Sequence, residues 1–252
     1  MRIPIIAGNW KMYKTVDESI ELTNAIKRGV YDLTGVEIVV CPPFTSLSEV
    51  REMTIDSNIG LGAQDCYWLN EGAYTGEVSP RMLKAVGCDY VIIGHSERRA
   101  MFGETNETVN KKLIAVLNEG LKAIVCVGEK LEEREGAKTF DVVRDHVENG
   151  LRGVVKADME RVVIAYEPVW AIGTGKNATP AQAQEVHRFI RELLAKIYDR
   201  AVSDAVRIQY GGSVKPDNIA SIIAEPDVDG ALVGGAGLKA ESFIEIVKKS
   251  KK

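Results

Sequence analysis

Eight short apolar runs recur along the chain, at Pro4–Ala7, Glu37–Cys41, Ile59–Ala63, Tyr90–Ile93, Ala123–Val127, Val162–Ala165, Arg207–Gln209 and Gly230–Val233. Most are rich in valine and isoleucine and continuous rather than alternating. A strand with no polar face must be covered on both sides, as in parallel sheets. Helical patterns lie between the runs. Thr15 and Glu18 form a capping box ahead of Leu22, Ala25, Ile26 and Val30, which share one helix face. Val109, Leu113, Val116 and Leu117 repeat that spacing. Thr179-Pro180-Ala181-Gln182 supplies an N-cap, a proline at the first helical position and a second capping box, before a long stripe from Val186 to Ile197. Pro216 opens a further helix, and Phe243, Ile244 and Val247 mark a last one.

Strand and helix in alternation imply an α/β fold with a parallel sheet and right-handed crossovers. Eight such units in 252 residues match the count and size of a closed (β/α)8 barrel, so residues 1–252 read as one barrel domain. A doubly wound open sheet has the same alternation. The first run is not followed by Gly-x-Gly-x-x-Gly, which favours the barrel.

Composition narrows the function. A net charge of −4 provides no dominant basic surface, so neither nucleic acid nor an anionic membrane is the expected partner. No apolar stretch reaches the length of a membrane span, and the N-terminus lacks a signal-peptide core. Cys41, Cys66, Cys88 and Cys126 form no CxxC pair and have no histidine close by, so no metal site is expected. Free thiols in apolar runs fit a reducing, cytoplasmic setting.

In a barrel the chemistry sits at the C-terminal ends of the strands. Those ends read Gly8-Asn9-Trp10-Lys11, Gly94-His95-Ser96-Glu97-Arg98, Glu167, Tyr210-Gly211-Gly212-Ser213 and Gly234-Gly235. The glycine pairs after the seventh and eighth strands let backbone N–H groups approach a phosphate, aided by a helix start after strand eight. His95 ends a strand and begins a helix, a place that disfavours imidazolium, so a neutral, donating ring is expected. His146 and His187 lie in helical patterns and read as structural. Glu97 and Arg98 read as a supporting ion pair, beside Ser96. Glu167 stands between a buried strand and Pro168-Val169-Trp170-Ala171-Ile172-Gly173-Thr174-Gly175-Lys176, a stiff start followed by glycines that suits a hinged lid. A base, a neutral donor, a fixed cation at Lys11 and a phosphate grip suit proton abstraction beside a carbonyl in a small phosphorylated sugar, with no cofactor required.

Asn9-Trp10-Lys11, Gly94-His95-Ser96-Glu97-Arg98-Arg99, Tyr166 to Gly175 and Tyr210-Gly211-Gly212-Ser213-Val214 together resemble the triosephosphate isomerase family, in order and spacing, from Arg2 to the final helix. The resemblance implies a TIM barrel that interconverts dihydroxyacetone phosphate and D-glyceraldehyde 3-phosphate through an enediolate. It implies Glu167 as base, His95 as the neutral acid that is the family's known pattern, Lys11 as electrostatic lysine and Asn9 as its companion donor. By the same resemblance Gly173, Ser213, Gly234 and Gly235 grip phosphate, and the lid shields an intermediate that loses phosphate in water. The loop 64–79 resembles one that inserts into a second subunit, with Thr75, Tyr74 and Arg98 at the contact, so a homodimer is expected. Its length alone suggests function, though a loop folded over its own barrel is the alternative. Three positions depart from the family pattern near that contact: Asp65 for asparagine, Tyr74 for phenylalanine and Tyr13 for a smaller polar residue. Other phosphosugar barrels share the phosphate turns but lack the His95 and Glu167 motifs. A silent binding protein on this fold would be expected to lack Lys11, His95 or Glu167.

Overall fold

A computed structural model of the chain describes residues 2–171 and 178–252. Its strands are β1 (Ile5–Asn9), β2 (Glu37–Cys41), β3 (Ile59–Ala63), β4 (Tyr90–Ile93), β5 (Lys122–Val127), β6 (Val162–Tyr166), β7 (Arg207–Tyr210) and β8 (Gly230–Val233). All neighbours pair in parallel in chain order, and β8 returns to pair with β1, so the sheet closes into the barrel. The open-sheet alternative is thereby excluded.

Closure explains the continuous apolar runs. Along β1, Ile5 and Ala7 face a central core, while Ile6 belongs to the larger core shared with the helices. Val39 and Cys41 against Ile38 and Val40, and Val163 and Ala165 against Val162 and Ile164, divide in the same way. Both faces are buried, so neither can be polar. Gly60 and Gly62 take the inward positions of β3, where a Cβ at Gly62 would collide with Cys41 Sγ.

The helices form the outer layer. Thr15 caps Val16–Val30, its N–H donating to Glu18 Oε2 at 2.8 Å, and Thr179 caps Pro180–Ile197 with Gln182 in the same reciprocal way. Each such cap contributes about 1 kcal/mol. Pro216 does not open a helix as expected. That helix begins at Ile219, because Asn218 folds back to bond Lys215 N–H and Ser213 O first. The start after β8 is only a 3₁₀ turn, Gly235–Leu238, so its end carries far less dipole than a long helix would.

The two barrel ends differ in chemistry. At the N-terminal ends of the strands, Glu37 accepts from Tyr90 and Arg207, with Lys122 Nζ at 3.3 Å, and plugs the bottom with a satisfied polar cluster. At the other end the inward rows run on into the polar residues. Asn9 continues the row of Ile5 and Ala7, and Glu167 that of Val163 and Ala165, since alternate residues share a face. His95 has the wrong parity, following outward-facing Ile93. Gly94 corrects this with φ +68°, a left-handed conformation that costs glycine little.

Candidate active site

These strand ends surround a cavity of about 710 Å³ lined by Asn9, Lys11, His95, Glu167, Ser213, Gly234 and Gly235 among others. It thus brings together the expected residues from five strands. Gly173 and the lid residues Ile172, Thr174, Gly175 and Lys176 lie outside the described residues.

Glu167 is 2% exposed, yet both its oxygens are satisfied. Oε2 accepts the Ser96 N–H at 2.9 Å, and Oε1 lies 2.9 Å from His95 Nε2. Burial alone would raise the carboxyl pKa. The neighbouring imidazole, the Ser96 N–H and Lys11 outweigh it, and the net shift is downward. The group is therefore ionised at neutral pH. Gly211 leaves it room, since a Cβ there would come within 2.8 Å of Glu167 Cγ.

His95 is the N-cap of the helix Ser96–Met101, and its Nδ1 accepts the Glu97 N–H at 3.3 Å. An acceptor Nδ1 carries no proton, so the ring is the neutral Nε2–H tautomer, donating to Glu167. The expectation of a lowered pKa needs correction, however. Burial opposes the imidazolium most, but the Glu167 charge, its hydrogen bond and the Glu97 charge together outweigh it, and the net direction is upward.

Lys11 sits in the left-handed region at φ +53°, uncommon for a side-chain-bearing residue and held by its neighbours. Its N–H donates to Asn9 Oδ1 at 3.0 Å, and its carbonyl accepts from Gln64 Nε2 at 2.8 Å. Its Nζ lies 2.6 Å from Glu97 Oε1. The expected Glu97–Arg98 pair is thus not formed: Glu97 serves Lys11. Adjacent helical residues point apart, so Arg98 turns to Asp65 at 2.9 Å and Glu104 at 2.5 Å.

Lys112 completes that second cluster, 2.7 Å from Asp65 and also paired with Glu104. Burial, then Glu104's charge working against Lys112's, leaves the Asp65 carboxyl raised from 3.8 to about 6. The folded state thus holds a proton that the unfolded chain releases between those values. Its contribution to stability is present below about pH 3.8 and lost as pH rises towards about 6. Asp65→Asn cannot titrate. Its melting temperature relative to the parent should rise by several degrees across that window, at about 2–4 °C per kcal/mol for a chain this size, then level off. Thermal unfolding at a series of pH values checks this, and a flat difference would exclude the titration.

Several residues at the site were not singled out from the sequence. Lys215, Lys239 and Ser242 line the cavity beside the glycine turns. The signal was there, as lysines within a few residues of each glycine pair. Buried Glu129, just past β5, accepts from Tyr166 Oη at 3.1 Å and Trp170 Nε1 at 2.9 Å, and so holds the described start of the lid. Val169–Ala171 form a 3₁₀ turn there, with Ala171 N–H donating to Pro168 O at 2.7 Å. Among the described residues, no three His, Cys, Asp or Glu side chains are placed to hold a metal ion. No helix among them is long and apolar enough to cross a membrane.

Residues 4–250 match the family model for triosephosphate isomerase. The chain is 56% identical over 250 residues to the triosephosphate isomerase of Geotalea uraniireducens, covering 99% of this chain and 100% of that one. It is 58% identical over the same length to that of Carboxydothermus hydrogenoformans, with the same coverage. The chain belongs to the triosephosphate isomerase family. Within it, the union of Lys11, His95 and Glu167 at one cavity matches the chemistry that an aldose–ketose isomerase requires: a base, an acid and a fixed cation around one small anionic substrate.

Proposed function

We propose that the chain, acting as one barrel domain over residues 1–252, interconverts dihydroxyacetone phosphate and D-glyceraldehyde 3-phosphate, with Glu167 as the base. The 2.9 Å contact between Glu167 Oε1 and His95 Nε2 carries this reading, because it sets a carboxylate and a neutral donor face to face in the cavity. At 2.9 Å the two satisfy each other. A triose that inserts its oxygens against His95 takes the donor from Glu167. The carboxylate then keeps its burial but loses its stabilising partner, so its basicity rises as substrate arrives.

Glu167 removes a proton from the carbon beside the carbonyl. His95 Nε2–H donates to the oxygen that becomes negative, and Lys11 steadies the enediolate and the phosphate charge, with Asn9 fixing the Lys11 backbone. Glu167 returns the proton to the neighbouring carbon while His95 passes the hydroxyl proton from one oxygen to the other, and the isomerisation is complete without a cofactor. Ser213, Gly234 and Gly235 grip phosphate, joined by Gly173 as the lid from Pro168 to Lys176 closes. A coupled isomerase assay on glyceraldehyde 3-phosphate tests the proposal; tight binding of a phosphate analogue with no turnover would reduce the chain to a binding protein.

A homodimer through the 64–79 loop belongs to the same proposal. The loop tip is exposed, with Leu69 and Tyr74 about 40% accessible, while Asn70 Nδ2 ties it to Glu119 of its own barrel at 3.2 Å. Tyr67 stacks between Trp68 and Tyr74, which stiffens the loop. Met82, Met101 and Phe102 are also left exposed, and Arg98 lies 4.9 Å over the Phe102 ring. Sedimentation across a dilution series should give twice the 27.6 kDa chain mass. A monomer with full activity would contradict the dimer. A cytoplasmic setting is proposed with it, supported by four buried, unpaired thiols.

A further inference from the structure

Glu167 and His95 are each aimed by a main-chain turn, and both turns are held by side chains outside the catalytic set. At the end of β5, Gly128 lies so close to the Glu167 peptide that a Cβ there would overlap the Glu167 carbonyl. On either side of this contact, Glu167 N–H donates to Val127 O at 2.8 Å, and Val169 N–H to Glu129 O at 3.1 Å. Residues 127–129 are therefore the seat of the base. The Gly128 N–H donates at 3.3 Å to Nδ1 of His146, on the helix Thr139–Gly150.

The His95 turn is held in a parallel way. The carbonyl of left-handed Gly94 accepts from Arg99 Nε at 2.9 Å. Arg99 Nη1 donates to Asn106 Oδ1 at 2.8 Å, and Asn106 Nδ2 to Asp145 at 2.7 Å. Asp145 is the chain neighbour of His146, so the polar contacts run from the Gly94 turn through Arg99, Asn106 and Asp145 to the residue that holds Gly128. Burial, and then the charge of Arg99, push His146 down to about 4. Its ring is neutral at working pH, and a bare Nδ1 is what the Gly128 N–H requires.

We propose that His146 and Arg99 are positioning residues for the isomerisation, bracing the Gly128 and Gly94 turns so that Glu167 and His95 keep their reacting geometry. The proposal rests on the roles given above to Glu167 and His95. It turns His146 from a structural histidine into part of the support for the base.

The test compares the parent with His146→Gln, His146→Leu and Arg99→Lys in the isomerase assay, with thermal unfolding alongside. Glutamine keeps an acceptor oxygen, and leucine removes it at similar volume. His146→Leu should lower kcat about ten-fold or more while KM stays within about two-fold, since a misplacement of about 1 Å costs rate before it costs phosphate binding. His146→Gln should recover most of that loss. Arg99→Lys keeps the charge but cannot bridge Gly94 and Asn106 at once, so it should show the same kcat-specific loss. It also serves as the independent arm if His146→Leu does not fold. A folded His146→Leu with parental kcat, a glutamine variant no faster than the leucine one, an Arg99→Lys with parental kcat, or a loss confined to KM overturns the proposal. An inactive parent would overturn the isomerase reading and this one with it, whereas an active parent with indifferent variants overturns this one alone.

Discussion

Glu167→Gln is expected to lower kcat by about 10²–10⁴-fold while KM changes little. The substitution keeps the shape of the side chain and removes its charge and basicity. The amide oxygen can still accept the Ser96 N–H, so the side chain remains seated at the end of β6. The amide NH₂ then faces His95 Nε2–H, two donors in contact. That mismatch loosens the contact with His95 but leaves Lys11 and the glycine turns as they were. Substrate binding, which relies on those groups, should therefore survive. Steady-state kinetics in both directions checks the split, and a variant that turns over at the parental rate would remove Glu167 from the role of base.

Lys11→Met is expected to damage binding and rate together. The lysine is the cation in contact with Glu97, at 2.6 Å, so its loss leaves that carboxylate unpaired at the mouth of a site for an anion. KM should rise about ten-fold or more, the worth of one charge-assisted hydrogen bond. In addition, kcat should fall about 10²–10³-fold, because a preorganised charge is worth more as negative charge develops on oxygen. Adding Glu97→Gln to Lys11→Met should recover part of KM and none of kcat, which separates removed repulsion from lost transition-state stabilisation. Unchanged kinetics in Lys11→Met would exclude the lysine from the mechanism.

The barrel was legible because two-sided burial leaves a mark on each strand separately. Four of the eight runs, including Tyr90–Ile93 and Gly230–Val233, keep the ends read from the sequence. Most of the others extend by a residue or two, since backbone pairing continues into polar residues such as Asn9. The cavity residues were legible for a related reason: each stands at the end of its own strand. What the sequence concealed were partnerships across the layer of helices. Glu97 and Arg98 are chain neighbours of opposite charge, yet helical geometry sends one to Lys11 and the other to Asp65, 33 positions back in the chain. His146 carries no local sign that its partner is a glycine N–H in another element. The rise in the His95 pKa was hidden too, because it depends on a carboxylate that only the fold brings near.

The pairing of β8 with β1, with Val233 opposite Gly8, has a consequence for how the molecule is made. Asn9 and Lys11 emerge with the first strand, whereas Gly234 and Gly235 follow the last. A growing chain therefore holds its cation long before it has the turns that grip the anion. Until β8 arrives, β1 presents an unpaired sheet edge, the kind of surface on which two nascent chains can pair by mistake. A chain that lacks β8 therefore has half a site and two open sheet edges, on β1 and β7, and both deficits end with the same few residues.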